Sequence, residues 1–244
     1  MMKYDDNLKI FYSSLINDNR YFSGFGTRSL GDGRKIDNLI NFLKNNRVDF
    51  RKIVILNQIH SVNTKIFTSH TTELIEKIED TDGVVTTEDR VVLRVVTADC
   101  LPVIYVEKNK GIIGISHIGW RGSIKKMVEK MIERMIELGG DLKQIKIAIG
   151  PGIGQCCYNI DQDRYYQFKE EFDGYSDKIF RWYKGSWYLN LTLLNYLFLV
   201  DIGVKKSNID FYPFCTRCDK KRFFSYRRDK KEEYGEMFSL VIRS

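Results

Sequence analysis

The sequence predicts an α/β (α+β) fold, a single-domain layered sandwich in which mixed β-sheets are flanked by helices. Apolar runs of strand length, some joined as hairpins, are mixed with amphipathic helical stretches. This order lacks the regular strand–helix alternation of a Rossmann fold. Because no internal repeat, low-complexity tract or linker rich in proline and serine interrupts residues 1–244, one domain is expected.

Helices are predicted where apolar residues recur at helical spacing. Apolar positions 36, 39, 40 and 43 predict a helix over residues 35–45. A longer apolar stripe, rich in methionine, predicts one continuous helix over about 121–138, ended by Gly139 and Gly140. The methionines of this stripe are expected in the core. Two further helices are predicted over residues 162–172 and from about 190 to 200.

Strands are predicted for the short apolar runs between these helices, because runs of this length bounded by polar turns are typical of buried strands. The predicted ranges are 52–57, 64–68, 83–86, 91–96, 102–106, 111–117, 145–149, 187–190, 208–212 and 237–242.

Composition favours a soluble enzyme-sized domain over a membrane protein. Apolar residues make up 43% and charged residues 29% of the 244 residues. The N-terminal residues 1–6 lack an apolar signal region, and no apolar stretch approaches the length of a membrane span, so a cytoplasmic location is expected. The formal charge of +7 fits a site for anionic substrates or weak nucleic-acid binding, but solvated lysines along helices explain it better. The basic residues are dispersed without a recognised nucleic-acid motif, so no specific nucleic-acid partner is expected, and the oligomeric state stays open, with a monomer compatible.

A predicted hairpin brings a cysteine and a histidine together. Apolar runs flank the polar residues 107–110, and a turn centred between Lys108 and Asn109 would place Cys100 directly opposite His117. Opposed side chains of an antiparallel pair have Cβ atoms roughly 5 Å apart, which suits two ligands of one metal ion. A second histidine, His60, would complete a set that leaves the fourth zinc position open, as in catalytic sites. Taken singly, a histidine is usually an ordinary core or surface residue, and Cys100 could be a small buried apolar side chain.

Three further residues are candidates for chemistry. Arg121 lies at the predicted start of the long helix, where free N–H groups and the helix dipole favour an anion, although it could equally be an ordinary surface arginine. Arg28 is a weaker candidate for the same role. Asp99, next to Cys100, could orient a histidine ligand or carry a proton, or it could cap a turn.

The other four cysteines give little evidence for a disulfide, a metal site or a redox site. Cys156 and Cys157 are adjacent and form a poor structural disulfide, and the odd total of five cysteines favours free thiols. Cys215 and Cys218 form a single CxxC, which is weak evidence for a metal or redox site because no second pair is expected to complete a four-ligand set. We therefore expect Cys215 and Cys218 to be dispensable for metal binding.

Five sequence blocks follow one another along the chain. They are Gln-Ile-His at 58–60, Thr-Ala-Asp-Cys-Leu-Pro at 97–102, His-Ile-Gly-Trp-Arg-Gly at 117–122, Ile-Gly-Pro-Gly-Ile-Gly at 149–154 and Phe-Phe-Ser-Tyr-Arg-Arg-Asp at 223–229. Together and in this order they resemble the laccase-domain (YfiH-like) family, first described as polyphenol oxidases and now regarded as purine nucleoside phosphorylases. The resemblance runs from about residue 20 to the C-terminus, and the second and third blocks in tandem are its most specific part.

The resemblance implies a zinc enzyme acting on purine nucleosides, with His60, Cys100 and His117 as the metal ligands. The implied reaction is phosphorolysis of adenosine, inosine and S-methyl-5'-thioadenosine to a free base and a ribose 1-phosphate, and adenosine deamination is a further activity associated with the family. One difference stands out. Family members often carry Thr-Gly-Arg where this chain has Tyr234-Gly235-Glu236, so an acid replaces an arginine that could serve the substrate.

Three alternatives stay open at the level of sequence. Cys100 could be the nucleophile of a hydrolase or amidase, with His60 or His117 as its base. Copper-dependent phenol oxidation is compatible with histidine and cysteine ligands, although a chain with three histidines lacks the many that a multicopper cluster needs. A basic nucleic-acid-binding protein without turnover is the non-enzymatic alternative.

Overall fold

The computed structural model describes residues 2–244. The strands are β1 (Met2–Asp5), β2 (Ile10–Ser13), β3 (Tyr21–Gly26), β4 (Lys52–Leu56), β5 (Thr64–Ile66), β6 (Ile75–Ile78), β7 (Gly83–Thr86), β8 (Val91–Thr97), β9 (Leu101–Glu107), β10 (Ile112–Ile118), β11 (Lys146–Ile149), β12 (Asn159–Ile160), β13 (Phe180–Tyr183), β14 (Ser186–Leu189), β15 (Ile209–Phe211) and β16 (Met237–Arg243). The helices are α1 (Ile36–Asn45), α2 (Trp120–Ile124), α3 (Met127–Glu137), α4 (Gln162–Glu171), α5 (Ser176–Ile179) and α6 (Leu191–Asp201). Single 3₁₀ turns lie at Arg28–Leu30, Asp173–Tyr175 and Lys206–Asn208.

Two large mixed sheets and one small antiparallel sheet carry the fold. The first large sheet has the order β1-β2-β3-β16-β8-β4-β6, and the second has the order β15-β11-β9-β10-β7-β5. Strand β4 pairs in parallel with β6 and β8, whereas β16 pairs antiparallel with β3 and β8. The small sheet has the order β12-β14-β13. The predicted α/β (α+β) sandwich with mixed sheets is confirmed.

Alternating side chains stack the two large sheets face to face, with helices on their outer faces. In β9, Ile104 and Val106 enter the core between the sheets, whereas Val103 and Tyr105 pack toward α3 and α6. In β8, Leu93 faces the other sheet while its neighbour Val92 faces α1. Because both faces of the central strands are covered, these strands read as continuous apolar runs. Within residues 2–244, no helix has the length and apolar character needed to span a membrane.

The prediction of one continuous helix over about 121–138 is wrong, because the structure has two helices there. Two helices, α2 and α3, occupy the range, because Lys126 adopts a left-handed backbone with φ of 59° between them. Its ammonium group reaches Glu171 at 2.7 Å and lies over the rings of Phe172 and Phe198. The apolar stripe on α3 nevertheless packs in the core, and Gly139, with φ of 85°, follows its end as predicted.

The register of the β9–β10 hairpin also differs from the prediction. His117 pairs with Pro102 and Ile118 with Leu101, so Cys100 is not directly opposite His117. The turn is centred one residue later than expected, because Gly111 takes a left-handed backbone with φ of 67° before β10 begins. A shift of the turn centre by one residue moves the pairing by two and therefore leaves every side chain on its predicted face.

Candidate metal centre in an arginine-lined cavity

Two loops and the end of one strand bring His60, Cys100 and His117 together at the floor of a cavity. His60 follows β4, Cys100 lies between β8 and β9, and His117 is near the end of β10. One ligand atom of each side chain lies within 4.8 Å of the ligand atoms of the other two, and Cys100 Sγ is 3.9 Å from His60 Nε2. The two imidazole rings are perpendicular, with centroids 4.6 Å apart. We call this set the His/Cys/His cluster; its atoms are close enough to hold one metal ion.

A buried carboxylate, Asp82, organises two members of this cluster. Its Oδ1 accepts hydrogen bonds from His117 Nδ1 at 2.8 Å and from the backbone N–H of His60 at 3.1 Å. Its Oδ2 accepts from the N–H and the hydroxyl of Ser61, both at 2.6 Å. An ionised carboxylate can accept hydrogen bonds but cannot donate one, so His117 must carry its proton on Nδ1. This tautomer leaves Nε2 of His117 free to bind a metal. Asp82 also holds the loop in which His60 takes a left-handed backbone, with φ of 59°.

The electrostatics of the cluster favour a thiolate. Burial raises the pKa of a thiol, but the imidazoles of His117 and His60 outweigh burial and lower the pKa of Cys100 to about 7. Burial likewise opposes an imidazolium, yet the Cys100 thiolate and the Asp82 carboxylate raise the pKa of His117. Two imidazole nitrogens and a thiolate are a donor set that suits a borderline-soft cation. The residues present therefore fit a bound metal ion.

Gly119 allows the cluster to close. A Cβ atom at this position would lie 3.0 Å from Cys100 Sγ and 3.2 Å from His60 Cδ2. Both distances are shorter than ordinary van der Waals contact, so a side chain here would displace a candidate ligand. The glycine between β10 and α2 is thus explained by the space that the cluster needs.

Asp99 has the contacts of a positioning residue. Its Oδ1 accepts from Thr216 Oγ1 at 2.6 Å, and its Oδ2 accepts from Ser225 Oγ at 2.9 Å and from the N–H of Arg227 at 2.8 Å. Its backbone has φ of 82° and its carbonyl accepts from the N–H of Ile153. The carboxylate therefore joins the loop before Cys100 to two later segments of the chain.

The cavity above the cluster has a volume of about 720 Å³, in the range of small-molecule sites. Its walls combine apolar and aromatic side chains with four arginines and two acids. The apolar and aromatic residues include Leu56, Val96, Trp120, Ile153, Tyr158, Leu191, Tyr226 and Tyr234, and the charged residues are Arg34, Asp99, Arg121, Arg164, Arg227 and Glu236. The excess of arginine over acid gives the cavity a positive field that suits an anionic group.

Most of the cavity arginines already have partners. Arg34 pairs with Asp32 at 2.7 Å, and Arg227 donates to Asn159 Oδ1 at 3.0 Å. The guanidinium groups of Arg164 and Arg121 both lie over the ring of Trp120, 4.3 and 4.5 Å from its centroid. Between residues 2 and 244, no carboxylate forms an ion pair with Arg121, so its guanidinium is available to a ligand.

The two arginines predicted to bind an anion lie in different places, and only Arg121 lines the cavity. Arg121 lines the cavity, but α2 has only five residues, so its side chain rather than a long helix dipole supplies the positive charge. Arg28 is not among the residues that line the cavity in the described part of the chain. Its Nη1 donates to the carbonyl of Lys220 at 2.9 Å, and its guanidinium covers the ring of Phe224.

The acid that replaces the family arginine also lines the cavity. Glu236 accepts a hydrogen bond from Tyr234 OH at 2.6 Å. Burial and this neighbouring carboxylate raise the pKa of Tyr234. The exchange therefore changes the charge of the cavity wall and leaves the His/Cys/His cluster untouched.

From the sequence we expected no second cysteine pair near Cys215 and Cys218, and this expectation is wrong. The turn that carries Cys156 and Cys157 packs against the CxxC loop, and all four Sγ atoms lie within 4.8 Å of one another. We call this set the four-cysteine cluster. Sequence separation of about sixty residues hid this proximity, because adjacent cysteines and a lone CxxC carry no mutual spacing signal.

Several residues of the cluster's support and of the cavity wall were absent from the sequence predictions. Asp82 precedes β7 in a Thr-Asp-Gly turn, a pattern that ordinarily indicates only a loop. Arg34, Arg164 and Arg227 lie in three separate segments, and only the fold brings them to one cavity. The third histidine, His70, is exposed and does not belong to the cluster.

Comparisons with known proteins identify the family that this chain matches. The family model described as multi-copper polyphenol oxidoreductase laccase matches residues 29–244. Adenosine deaminase RL5, from an unknown prokaryotic organism, is 30% identical over 187 residues, which cover 74% of this chain and 71% of that protein. Purine nucleoside phosphorylase YlmD of Geobacillus stearothermophilus is 34% identical over 167 residues, which cover 66% of this chain and 60% of the relative.

A solved structure with the same fold is that of the hypothetical protein YfiH of Bacillus licheniformis. It superposes with a TM-score of 0.87 at 25% sequence identity and covers 98% of each chain. The overall fold is therefore shared along almost the whole length of both chains. The match to the Geobacillus phosphorylase, in contrast, spans only 60% of the relative's length.

Proposed function

We propose a specific function from the premise that this chain belongs to the multi-copper polyphenol oxidoreductase laccase family, whose model matches residues 29–244. The chain is an enzyme of this family, with relatives named purine nucleoside phosphorylase and adenosine deaminase. The proposed activity is zinc-dependent phosphorolysis of adenosine, inosine and S-methyl-5'-thioadenosine. The observation that supports it most is the His/Cys/His cluster at the floor of an arginine-lined cavity.

In this proposal His60, Cys100 and His117 hold one zinc ion. Two nitrogens and one thiolate leave a fourth position open toward the cavity, as in catalytic zinc sites. Zinc, when bound, supplies Lewis-acid chemistry. Asp82 keeps His117 in the tautomer that can bind the ion, and Asp99 holds the Cys100 loop in place. Copper is the less favoured ion, because the described chain offers only two histidines at the cavity.

The cavity walls would bind the two substrates. Phosphorolysis requires phosphate to be held beside C1′ of the ribose while the departing base is stabilised. Arg121 lacks an ion-pair partner within the described residues and is our candidate for the phosphate. The aromatic and apolar walls, including Trp120 and Tyr158, would cover the purine.

A second activity, adenosine deamination, is proposed for the same cavity because one relative is named adenosine deaminase. Deamination requires water to attack the purine C6, whereas phosphorolysis requires phosphate to reach C1′. The two reactions therefore place the base differently with respect to the cluster, and their products separate them.

A cysteine-nucleophile mechanism is the competing hypothesis. The imidazoles lower the pKa of Cys100 to about 7, which would also suit a nucleophile. A thiolate bound to zinc is not free to attack, so metal content separates the two mechanisms. A hydrolase or amidase of this kind would work fully without metal.

The decisive experiment is product analysis of zinc-loaded protein with adenosine, with and without phosphate. We expect phosphate-dependent release of adenine and ribose 1-phosphate. Equal consumption of adenosine without phosphate, with inosine as the product, would show a deaminase. If neither product forms, and an amide or ester substrate is cleaved by metal-free protein, the cysteine-nucleophile mechanism replaces the proposal.

A further inference from the structure

We propose that the four-cysteine cluster is a second metal site, a structural zinc site that clamps two loops at the cavity wall. Its members are Cys156, Cys157, Cys215 and Cys218. The site is separate from the His/Cys/His cluster, since the two sets share no residue and differ in their donors. The proposal does not depend on the reaction that the cavity performs.

The sulfur geometry matches tetrahedral zinc. Cys218 Sγ lies 3.6 Å from Cys156 Sγ and 3.4 Å from Cys157 Sγ, and all four sulfur atoms lie within 4.8 Å of one another. A tetrahedral ion with Zn–S bonds of about 2.3 Å requires sulfur atoms about 3.8 Å apart. Four thiols converging at this spacing, all free of disulfides, form the donor set of a closed structural site.

The backbone is folded so that two adjacent cysteines can point to one place. The N–H groups of Cys157 and Tyr158 both donate to the carbonyl of Gly154, which closes a tight turn around Cys156. Gly154 has no side chain in the way: a Cβ atom there would lie 2.9 Å from Cys215 Cβ and 3.5 Å from Cys156 Sγ. The glycine therefore lets the turn approach the CxxC loop closely.

The CxxC loop is tied to the same turn by its backbone. Cys215 forms a parallel bridge with Gly152, and the N–H of Thr216 donates to the carbonyl of Gly152 at 3.0 Å. Cys215 is only 6% exposed, so one sulfur is anchored in the core while Cys156 and Cys218 lie at the surface. A cation can reach the site from solvent and still be held by a rigid sulfur.

The clamped loops carry residues that shape the cavity. Thr216, between the paired cysteines, donates its hydroxyl to Asp99, which directly precedes Cys100. Ile153 and Tyr158, which flank the cysteine turn, line the cavity. A metal at the four-cysteine cluster would therefore hold together the wall of the cavity and the support of the Cys100 loop.

Redox chemistry is the alternative use of four close thiols. Disulfides would pair the cysteines two by two and would leave no thiolate for a metal. We favour zinc because all four sulfurs converge on one point, whereas a disulfide pair needs only two. The two outcomes differ in metal content and in thiol content, so one set of measurements separates them.

The test is zinc analysis of the full-length protein, purified with a reductant that does not bind metal, in four forms: wild type, Cys218→Ser, Cys100→Ala and the double variant. We expect about two, one, one and zero zinc ions per chain, respectively. Co²⁺ substitution gives an independent readout. Cys100→Ala should keep the intense sulfur-to-cobalt absorption of a four-thiolate site, and Cys218→Ser should lose it.

The wild type alone keeps the proposal falsifiable if Cys218→Ser fails to fold. A wild-type Co²⁺ spectrum without four-thiolate character would overturn it, whatever the zinc content. Zinc content of about one per chain together with a four-thiolate spectrum would instead mean that the His/Cys/His cluster is empty, which would count against the proposed function and not against this site. An intact mass that shows disulfides in the freshly purified, zinc-exposed protein would assign the cluster to redox chemistry instead. A folded Cys218→Ser that keeps the wild-type zinc content would also refute the site.

Stability supplies the structural part of the test. Cys218→Ser should unfold at a temperature lower by roughly 10 °C, because a closed zinc site stabilises the folded chain directly. Well below that temperature it should still turn over substrate, because Cys218 does not itself line the cavity. The matched control is Lys221→Ser, which alters the surface beside the CxxC loop without removing a sulfur and should change neither zinc content nor stability.

Discussion

The His/Cys/His cluster and the four-cysteine cluster are both candidate metal sites, but they differ in the number and kind of their donor atoms. The first combines two imidazoles with one thiol beneath a cavity, so three donors face an open position. The second has four sulfurs that can surround an ion completely. Three donors and an open position indicate chemistry, whereas four sulfurs indicate structure.

The supports of the two clusters differ in the same way. Asp82 organises the first through a hydrogen bond to an imidazole, a contact that sets a tautomer and tunes a ligand. The second is supported by backbone contacts and by the close approach of Gly154 to Cys215. A site that must adjust the chemistry of its ligands thus uses a buried charge, and a site that only joins loops uses packing.

The strongest test of this contrast is to remove one cysteine from each cluster. Cys100→Ala should reduce phosphorolysis to background, because it removes both a proposed ligand and the candidate nucleophile. Cys218→Ser should retain turnover at low temperature. Steady-state assays with adenosine and phosphate compare the two. Full turnover in Cys100→Ala would exclude the ligand and nucleophile roles of Cys100 together.

The next test concerns the buried carboxylate. Asp82→Asn should weaken zinc binding at the His/Cys/His cluster by about 10- to 100-fold, the usual cost of losing a carboxylate behind a histidine ligand. Zinc titration against a competing chelator measures the change. The control is Asp80→Asn, since Asp80 is exposed and its left-handed backbone, with φ of 48°, suits asparagine. Equal zinc affinity in both variants would show that Asp82 has no role in the metal site.

Substitution of Arg121 tests whether phosphate binds beside the His/Cys/His cluster. Arg121→Ala should raise the apparent KM for phosphate roughly tenfold or more, because a hydrogen bond to a charged group is lost, and it should leave zinc content unchanged. Arg28→Ala is the matched control, since Arg28 lies outside the cavity lining. The same increase in both variants would point to the overall charge of the protein instead of a phosphate site.

The smallest expected effects come from the glycines against which the clusters pack. Gly119→Ala should weaken the His/Cys/His site and Gly154→Ala the four-cysteine site, each by less than about tenfold, because the added methyl displaces a ligand slightly. Gly122→Ala is the control, since its Cβ would make only ordinary contacts, the shortest at 3.4 Å. Chelator-driven zinc release from each variant measures the effects. Equal release from Gly119→Ala and Gly122→Ala would refute the packing argument.

Local patterns in the sequence determined most of the elements that carry the site. The apolar runs of β8, β9 and β10 are long and uninterrupted, so their positions were predicted to within one or two residues. The strands β1, β2, β3, β6, β12 and β13 were not predicted. Each is short, with between two residues (β12) and six residues (β3), and contains too little periodicity of its own. The break at Lys126 also had no local signal, since no glycine or proline marks it.

The candidate ligands His60, Cys100 and His117 were recognisable because each lies at the end of a predicted strand within a motif block. That the three side chains meet could not be predicted without the fold, because His60 and Cys100 follow strands of the first large sheet and His117 lies in a strand of the second. Asp82 and the cavity arginines were not recognisable, because a carboxylate or guanidinium carries no sign in sequence of the group it will face.

The four-cysteine cluster shows the same limit most clearly. Sequence alone offered an adjacent pair and a single CxxC, and each pair by itself is weak evidence for a site. Tertiary structure joined them, because β11 and β15 run parallel as neighbours and carry the two following loops to the same edge of the sheet. Residue types and local periodicity thus determined which side chains can bind metals, and strand pairing over long sequence distances decided which of them meet.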